Sequence, residues 1–202
     1  MYLPAAFAET DRKRIVGLIR KHPFGLLVTA GEAMDASHIP FVANETPDGF
    51  VLEGHLAAAN PQCAAFDGGR ALAVFSGPHA YISPSWYRTQ PAVPTWNYAA
   101  VHVHGRLRRI EDAGRLAAML RAIGAHDAGF ELEALPANYR AGMLGGIRGF
   151  SLEPERVEAK WKMSQNRGEA DRRGVIAALR AARDAMAGEV ADLIAATLPQ
   201  KP

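Results

Sequence analysis

The sequence predicts an α+β, mainly β fold: a small barrel of six or seven antiparallel strands with peripheral helices and a long C-terminal helix. Three observations carry this. Short runs rich in β-branched and aromatic residues are separated by turn-prone stretches such as Thr46-Pro47-Asp48-Gly49. Apolar residues recur at helical spacing near both ends of the chain. No repeat, low-complexity segment or linker interrupts the 202 residues, so one domain over 1–202 is expected, with a helical C-terminal element at about 169–198.

The first helix is expected over residues 9–22, capped by Thr10 or Asp11, with Ile15, Leu18 and Ile19 as its apolar stripe and Pro23 as its stop. Runs 24–30, 37–43 and 49–56 read as an antiparallel meander, turning at Gly31-Glu32 and at residues 46–49. Residues 57–66 read as a short helix, with Asn60 as cap and Pro61 in its first position. A strand follows over 70–76. Residues 99–110 then alternate, Val101, Val103 and Leu107 on one face and His102, His104, Arg106 and Arg108 on the other. Helices are expected over 111–124, through Leu116, Met119, Leu120 and Ile123, and around 136–144. Residues 147–163 read as one long or bent strand. After Gly168 a last helix is expected over 171–198, where Val175, Leu179, Met186, Val190 and Leu193 form a stripe that covers a sheet or meets a partner chain.

The composition is 49% hydrophobic and 22% charged, which is ordinary for a globular chain. A formal charge of +2 gives no whole-chain reason to expect nucleic-acid binding. The single cysteine, Cys63, excludes an internal disulfide and a cysteine-based zinc site, and it fits a reducing compartment. No apolar run approaches the roughly 20 residues of a membrane span, so a cytoplasmic protein with no membrane partner is expected. There is no Gly-rich phosphate loop of the nucleoside-triphosphatase kind, no dinucleotide-binding fingerprint, no His-Glu-x-x-His and no Gly-x-Ser-x-Gly elbow.

Chemistry concentrates in three clusters. Gly77-Pro78-His79-Ala80-Tyr81-Ile82-Ser83-Pro84-Ser85-Trp86-Tyr87 and Val93-Pro94-Thr95-Trp96-Asn97-Tyr98 interleave hydroxyls with large rings, while prolines restrict the backbone. Such a pattern suits a pocket for a flat polar ligand, or else an aromatic corner of the core. Lys160-Trp161-Lys162-Met163-Ser164-Gln165-Asn166-Arg167 gathers two ammonium groups, a guanidinium, two amides and a hydroxyl, suited to a phosphate or a heterocycle edge, or else to a solvated helix cap. Four histidines stand apart. His55, after Gly54, could donate to a ligand or bind a metal, or simply brace a strand end. His38 precedes Pro40, which suggests a sheet edge. His102 and His104 share a strand face without a convincing third ligand, so no metal site is expected.

Taken in order, these residues resemble the PaiB-type family, the FMN-binding negative transcriptional regulators. The resemblance runs from Met1-Tyr2-Leu3-Pro4 and Phe7 through Pro23-Phe24-Gly25-Leu26-Leu27-Val28-Thr29, His38-Ile39-Pro40-Phe41 and Gly54-His55-Leu56-Ala57 with Asn60-Pro61-Gln62. It continues through Phe75-Ser76-Gly77-Pro78, Tyr81 to Tyr87 and Val93 to Tyr98, and closes on Lys162 to Arg167. The chain departs from the pattern in a short Arg88 to Val93 segment, in Ala58, where a larger and often charged residue is usual, and in Trp161.

The resemblance implies a flavin split barrel and a homodimer with ligand sites at the subunit interface. FMN is the implied cofactor, its ring against Trp86, Tyr87, Trp96 or Tyr98, with Ser83, Ser85, Thr95 and Asn97 on its polar edge or ribityl chain. Lys162, Gln165, Asn166 and Arg167 are the implied phosphate group. DNA is an implied partner, and Arg106, Arg108 and Arg109 would supply a basic face. Haem-dependent piperazate synthases share the resemblance, which makes a haem or flavin oxidoreductase the alternative, with His55 as axial ligand if the cofactor is haem.

Overall fold

The computed structural model describes residues 1–31 and 33–199. Glu32, part of the expected first turn, lies outside the described residues. Helix α1 (Arg12–Lys21) buries Ile15, Val16, Leu18 and Ile19 and leaves Arg12, Lys13, Arg14, Arg20 and Lys21 exposed. β1 (Phe24–Ala30) and β2 (Met34–Pro40) form an antiparallel hairpin, as do β3 (Val42–Thr46) and β4 (Gly49–Ala57). A 3-10 turn, Pro61–Phe66, leads into β5 (Asp67–Ile82). Another 3-10 turn, Pro84–Trp86, precedes β6 (Thr95–Ile110). Then come α2 (Ala113–Gly124), α3 (Ala137–Gly145), β7 (Ile147–Lys162), α4 (Glu169–Ala181) and α5 (Ala185–Ala195). The seven strands form one antiparallel sheet in the order β2-β1-β5-β6-β7-β4-β3. No described helix is long and apolar enough to cross a membrane.

The sheet departs from the expected meander at Phe41. The single run over 37–43 is two strands, because Pro40 has no N–H to extend the ladder. The Phe41 N–H instead donates to the Pro23 carbonyl at 2.9 Å. β2 and β3 therefore stand at opposite ends of the strand order with one residue between them. The C-terminal helix also differs from expectation, since Arg183 adopts a left-handed φ of 53° and Asp184 caps a new helix, its Oδ1 accepting from Ala187 N at 2.7 Å. The apolar stripe divides accordingly, Val175, Ile176 and Leu179 in α4, and Ala187, Val190, Ala191 and Ile194 in α5.

The described residues form two compact units, interleaved in sequence. One is Arg12–Phe75 with His102–Val157. Its core centres on Phe41, whose ring meets Phe75 edge-on at 5.1 Å and Phe150 at 6.1 Å, with Phe66 and Phe150 at 4.8 Å. Asn60 caps the Pro61–Phe66 turn as expected, though the turn begins only at Pro61. Buried Gln62 fixes that turn to the first hairpin. Its Nε2 donates to Thr29 Oγ1 at 3.0 Å and to the Asp35 carbonyl at 3.2 Å, while its Oε1 accepts from the Ser37 hydroxyl. Gly105 lets two strands approach, since a Cβ there would lie 2.0 Å from the Glu153 carbonyl oxygen.

The other unit is Met1–Asp11, Ser76–Val101 and the described part of Glu158–Pro202. Here α4 holds the segment between β5 and β6. Buried Asp171 accepts from the Arg88 and Thr89 amides at 2.7 and 2.9 Å, and Gly174 leaves room for the Trp86 carbonyl, which a Cβ would approach to 2.3 Å. The amide of Thr89, then that of Arg88, with Arg167 nearby, hold the Asp171 carboxyl below its ordinary pKa against the opposing effect of burial.

Two outcomes follow from this packing. Gly105→Ala should lower stability by about 3 kcal/mol, read by chemical denaturation, because the neighbour it meets is backbone that cannot turn aside. A lowered carboxyl pKa contributes stability above the unfolded value of about 4 that disappears as pH falls through the folded value. Thermal melts should therefore show Asp171→Asn less stable than wild type at neutral pH, the two converging as pH drops below about 4. A gap that persists unchanged in acid would show that Asp171 does not act through its charge.

Candidate functional site

The Ser76–Val101 segment carries most of the aromatic residues singled out from the sequence. β5 runs through Ile82, six residues beyond the expected end, so part of the first aromatic stretch is strand. Ala80 and Ile82 point into the core and His79 and Tyr81 to the outside. β6 starts at Thr95, so the same alternation buries Asn97, Ala99 and Val101 and turns Trp96 and Tyr98 outward. The outward rings meet: Trp96 and Tyr81 pack edge-on with centroids 6.1 Å apart, and His79 lies 6.1 Å from Trp96. Trp96 is 53% exposed and Tyr81 47%, so these are open ring faces rather than core.

The segment between the strands is more enclosed. Ser83 caps the turn Pro84–Trp86, its Oγ accepting from Ser85 N at 3.3 Å and lying 2.8 Å from Ser85 Oγ. Trp86 is half-buried. Tyr87 is buried, with the Arg167 guanidinium 4.5 Å above its ring.

The end of β7 and the following loop bring in the basic cluster. Lys162 Nζ donates to Thr95 Oγ1. Asn97 Nδ2 donates to Ser164 Oγ at 2.8 Å, while its wholly buried Oδ1 has no hydrogen-bond partner among the described residues. Ser164 is left-handed, with φ 58°, and Gln165 closes the loop beneath it. The Gln165 Oε1 accepts from Met163 N at 2.6 Å and its Nε2 donates to the Trp161 carbonyl, so both ends of that amide serve backbone. Asn166 is exposed.

Lys160 and Ser164 belong to the quoted basic cluster but were not among the implied ligands, and Asp171 was not singled out at all. Buried Lys160 lies 5.7 Å from the Tyr2 ring centre and 5.4 Å from that of Tyr98, and it donates to the Tyr2 carbonyl at 3.0 Å. Ser164 and Asp171 position the loop and the turn through hydrogen bonds that close only in three dimensions. His79 and Tyr81 stood in a quoted stretch, and period-two alternation carried through Ile82 would have put them beside Trp96.

The remaining candidates lie in the other unit. His55 pairs with Gly149 across β4 and β7, on the face where Glu53 meets Arg115 of α2 at 2.6 Å. Burial lowers the His55 pKa, which favours the neutral imidazole, and its Nδ1 is buried without a partner among the described residues. His38 lies on edge strand β2, stacked 6.0 Å from Phe24. The His102 and His104 rings are 6.5 Å apart. The expected basic face on β6 is neutralised: Arg106 pairs with Glu155 at 3.0 Å, Arg108 with Glu153 at 3.2 Å and Arg109 with Asp67 at 3.1 Å.

Comparison with known proteins agrees with this architecture. Residues 1–156 match the family described as "Putative FMN-binding domain". The chain is 36% identical over 200 residues, 96% of both chains, to the Bacillus subtilis protein named "Protease synthase and sporulation protein PAI 2". Among solved structures, the flavocytochrome Anf3 of Azotobacter vinelandii superposes with a TM-score of 0.62 at 16% identity, over 77% of this chain and 69% of that one. An FAD and haem binding protein of Mycobacterium smegmatis does so at 0.58 and 17%, over 76% and 72%. These two likenesses concern the fold. With the family match covering most of its length and a relative aligned almost end to end, the chain belongs to the PaiB-type family of FMN-binding-domain proteins, on the flavin split-barrel fold.

Proposed function

We propose that the chain binds FMN as a homodimer and acts as a negative regulator of transcription. The observation that carries the ligand is the open ring cluster of Trp96, Tyr81 and His79, on a strand whose first residue, Thr95, is bonded to Lys162. Stacking faces beside a hydroxyl and an ammonium group suit a flavin ring with a phosphorylated tail. Trp96 and Tyr98 would hold the ring, with Trp86 and Tyr87 behind the adjoining turn. Ser83, Ser85 and Thr95 have hydroxyls to offer the ribityl chain, and Lys162 and Arg167 would hold the phosphate. Gln165 and Asn97 support this site from behind, since their amides are committed to backbone and to Ser164. Bound flavin would supply redox capacity, while the chain binds and orients it.

A second copy is supported by a sheet face that the described residues leave half-covered. Leu26 pairs with Val74 and Val28 with Leu72 across β1 and β5, and all four side chains are half-buried. DNA contact would fall on the outer side of α1, where Arg12, Lys13, Arg14, Arg20 and Lys21 are exposed and Arg20 also pairs with Glu45 at 2.8 Å. A second reading, a haem-dependent oxidoreductase, is favoured by neutral His55 with its unpartnered Nδ1.

The absorbance spectrum of the purified protein separates the cofactors. Bands close to those of free flavin are expected, and an intense Soret band would instead establish haem. Changing Lys162→Ala together with Arg167→Ala should weaken FMN about tenfold or more and riboflavin far less, because the lost groups serve phosphate. Equal weakening would remove their phosphate role. Mobility shifts on the upstream region of the protein's own gene should show binding that falls steeply with salt and is reduced by Arg12→Gln with Lys13→Gln. Binding indifferent to both would exclude α1 as the contact.

A further inference from the structure

We infer, resting on the FMN reading above, that Tyr87 is a positioning residue for the ligand's phosphate. Its ring holds the Arg167 guanidinium in place and offers no face to the flavin. The implied role of Tyr87 was a stacking surface for the ring system. Its burial is against that role, since Tyr87 is 5% exposed and the Arg167 guanidinium carbon lies 4.5 Å from its ring centre. The cation lies over one face and little of the rest is open, so no stacking surface remains for a ligand.

Both partners are fixed to α4. On one side, the Trp86 carbonyl rests against Gly174, and the Arg88 and Thr89 amides donate to Asp171 at 2.7 and 2.9 Å. Tyr87 thus stands between backbone positions tied to that helix, and Gln90 Nε2 donates to its carbonyl at 3.4 Å. On the other side, Arg167 directly precedes Gly168, the N-cap of α4, and its amide donates to the Ser164 carbonyl at 2.9 Å.

The charge balance leaves the guanidinium available. The Arg167 side chain makes no hydrogen bond or ion pair among the described residues. Asp171 feels its charge but is taken up by the two amides, and Glu169 pairs with Arg173 at 2.6 Å. Attraction to the quadrupole of a ring uses no N–H, so the donors of the planar fork stay available for an acceptor. A carboxylate partner would have consumed them. The Tyr87 hydroxyl has no hydrogen-bond partner among the described residues either, so the ring and not the phenol group carries the effect. A long side chain ordered in advance gives up less freedom when the phosphate arrives.

The test is titration of the whole chain with FMN and, separately, with riboflavin, read by flavin fluorescence. Wild type should bind FMN more tightly than riboflavin. Tyr87→Leu should weaken FMN about fivefold or more and leave riboflavin unchanged, because only the phosphate contact loses its support. Tyr87→Phe keeps the ring and should restore FMN binding. With Arg167→Ala already in place, Tyr87→Leu should weaken FMN no further, since the two residues act through one contact. Should Tyr87→Leu fold poorly, NMR of the wild type provides the measurement. The Arg167 Hε resonance, assigned by its loss in Arg167→Lys, should carry an upfield ring-current shift and keep it at FMN saturation. Equal weakening of both flavins by Tyr87→Leu would make Tyr87 a stacking or purely structural residue and overturn the assignment. So would an undiminished further loss in the Arg167→Ala background, or disappearance of the ring-current shift on binding. Wild type that binds both flavins equally would overturn this assignment alone, whereas wild type that binds neither would overturn the flavin reading and this assignment with it.

Discussion

One residue, Phe41, ties the sheet together. β2 and β3 stand at the two ends of a seven-strand order, yet only Phe41 separates them in the chain. A strand pair so placed cannot lie in a flat sheet, because consecutive Cα atoms are only about 3.8 Å apart and a seven-strand sheet is several times wider. The two edges must therefore meet. Phe41 makes that junction stable by burying its ring against Phe75 and Phe150, residues of β5 and β7. The backbone hydrogen bond from Phe41 to Pro23 and the Gln62 network on the first hairpin fix the same corner. Closure also dictates which faces remain outside, and hence where functional side chains can stand.

Much of this was legible in the sequence. β1 falls on its expected run, and the alternation of β6 gives the observed faces, Val101, Val103 and Leu107 buried against exposed Arg106 and Arg108. Asn60 and Pro61 marked the 3-10 turn because capping and proline chemistry are local. What escaped was long-range. The split at Pro40-Phe41 depends on which strand each half finds as a neighbour, and local pattern carries no such information. The break at Arg183 was hidden because arginine and alanine are good helix formers, and its left-handed backbone is stabilised by the cap that follows.

The candidate site shows the same division. Its residue types were evident, but their grouping depends on strand ends. Starting β6 at Thr95 turns Trp96 and Tyr98 to one side and Asn97 to the other. A list that treats Val93 to Tyr98 as a single wall becomes two faces, one open and one committed to the core. The arginines of β6 make a parallel case. Their spacing suggested a basic surface, but Glu155, Glu153 and Asp67 come from distant positions in the chain to meet them.

The loop after β7 is closed by hydrogen bonds of its own residues. Gln165 satisfies the Met163 amide and the Trp161 carbonyl with its own side chain, and the Arg167 amide closes on the Ser164 carbonyl at 2.9 Å. A recognition loop that must order on binding forfeits affinity in proportion to the freedom it loses. Here the loop's own hydrogen bonds already restrict that freedom. Were the loop to hold the proposed phosphate, discrimination would rest on fit to a fixed rim, and a misfit ligand would meet a rigid wall instead of a loop that yields. The same rigidity makes the left-handed Ser164 a place where evolution has little latitude in backbone shape, whatever latitude it has in the exposed side chain of Asn166.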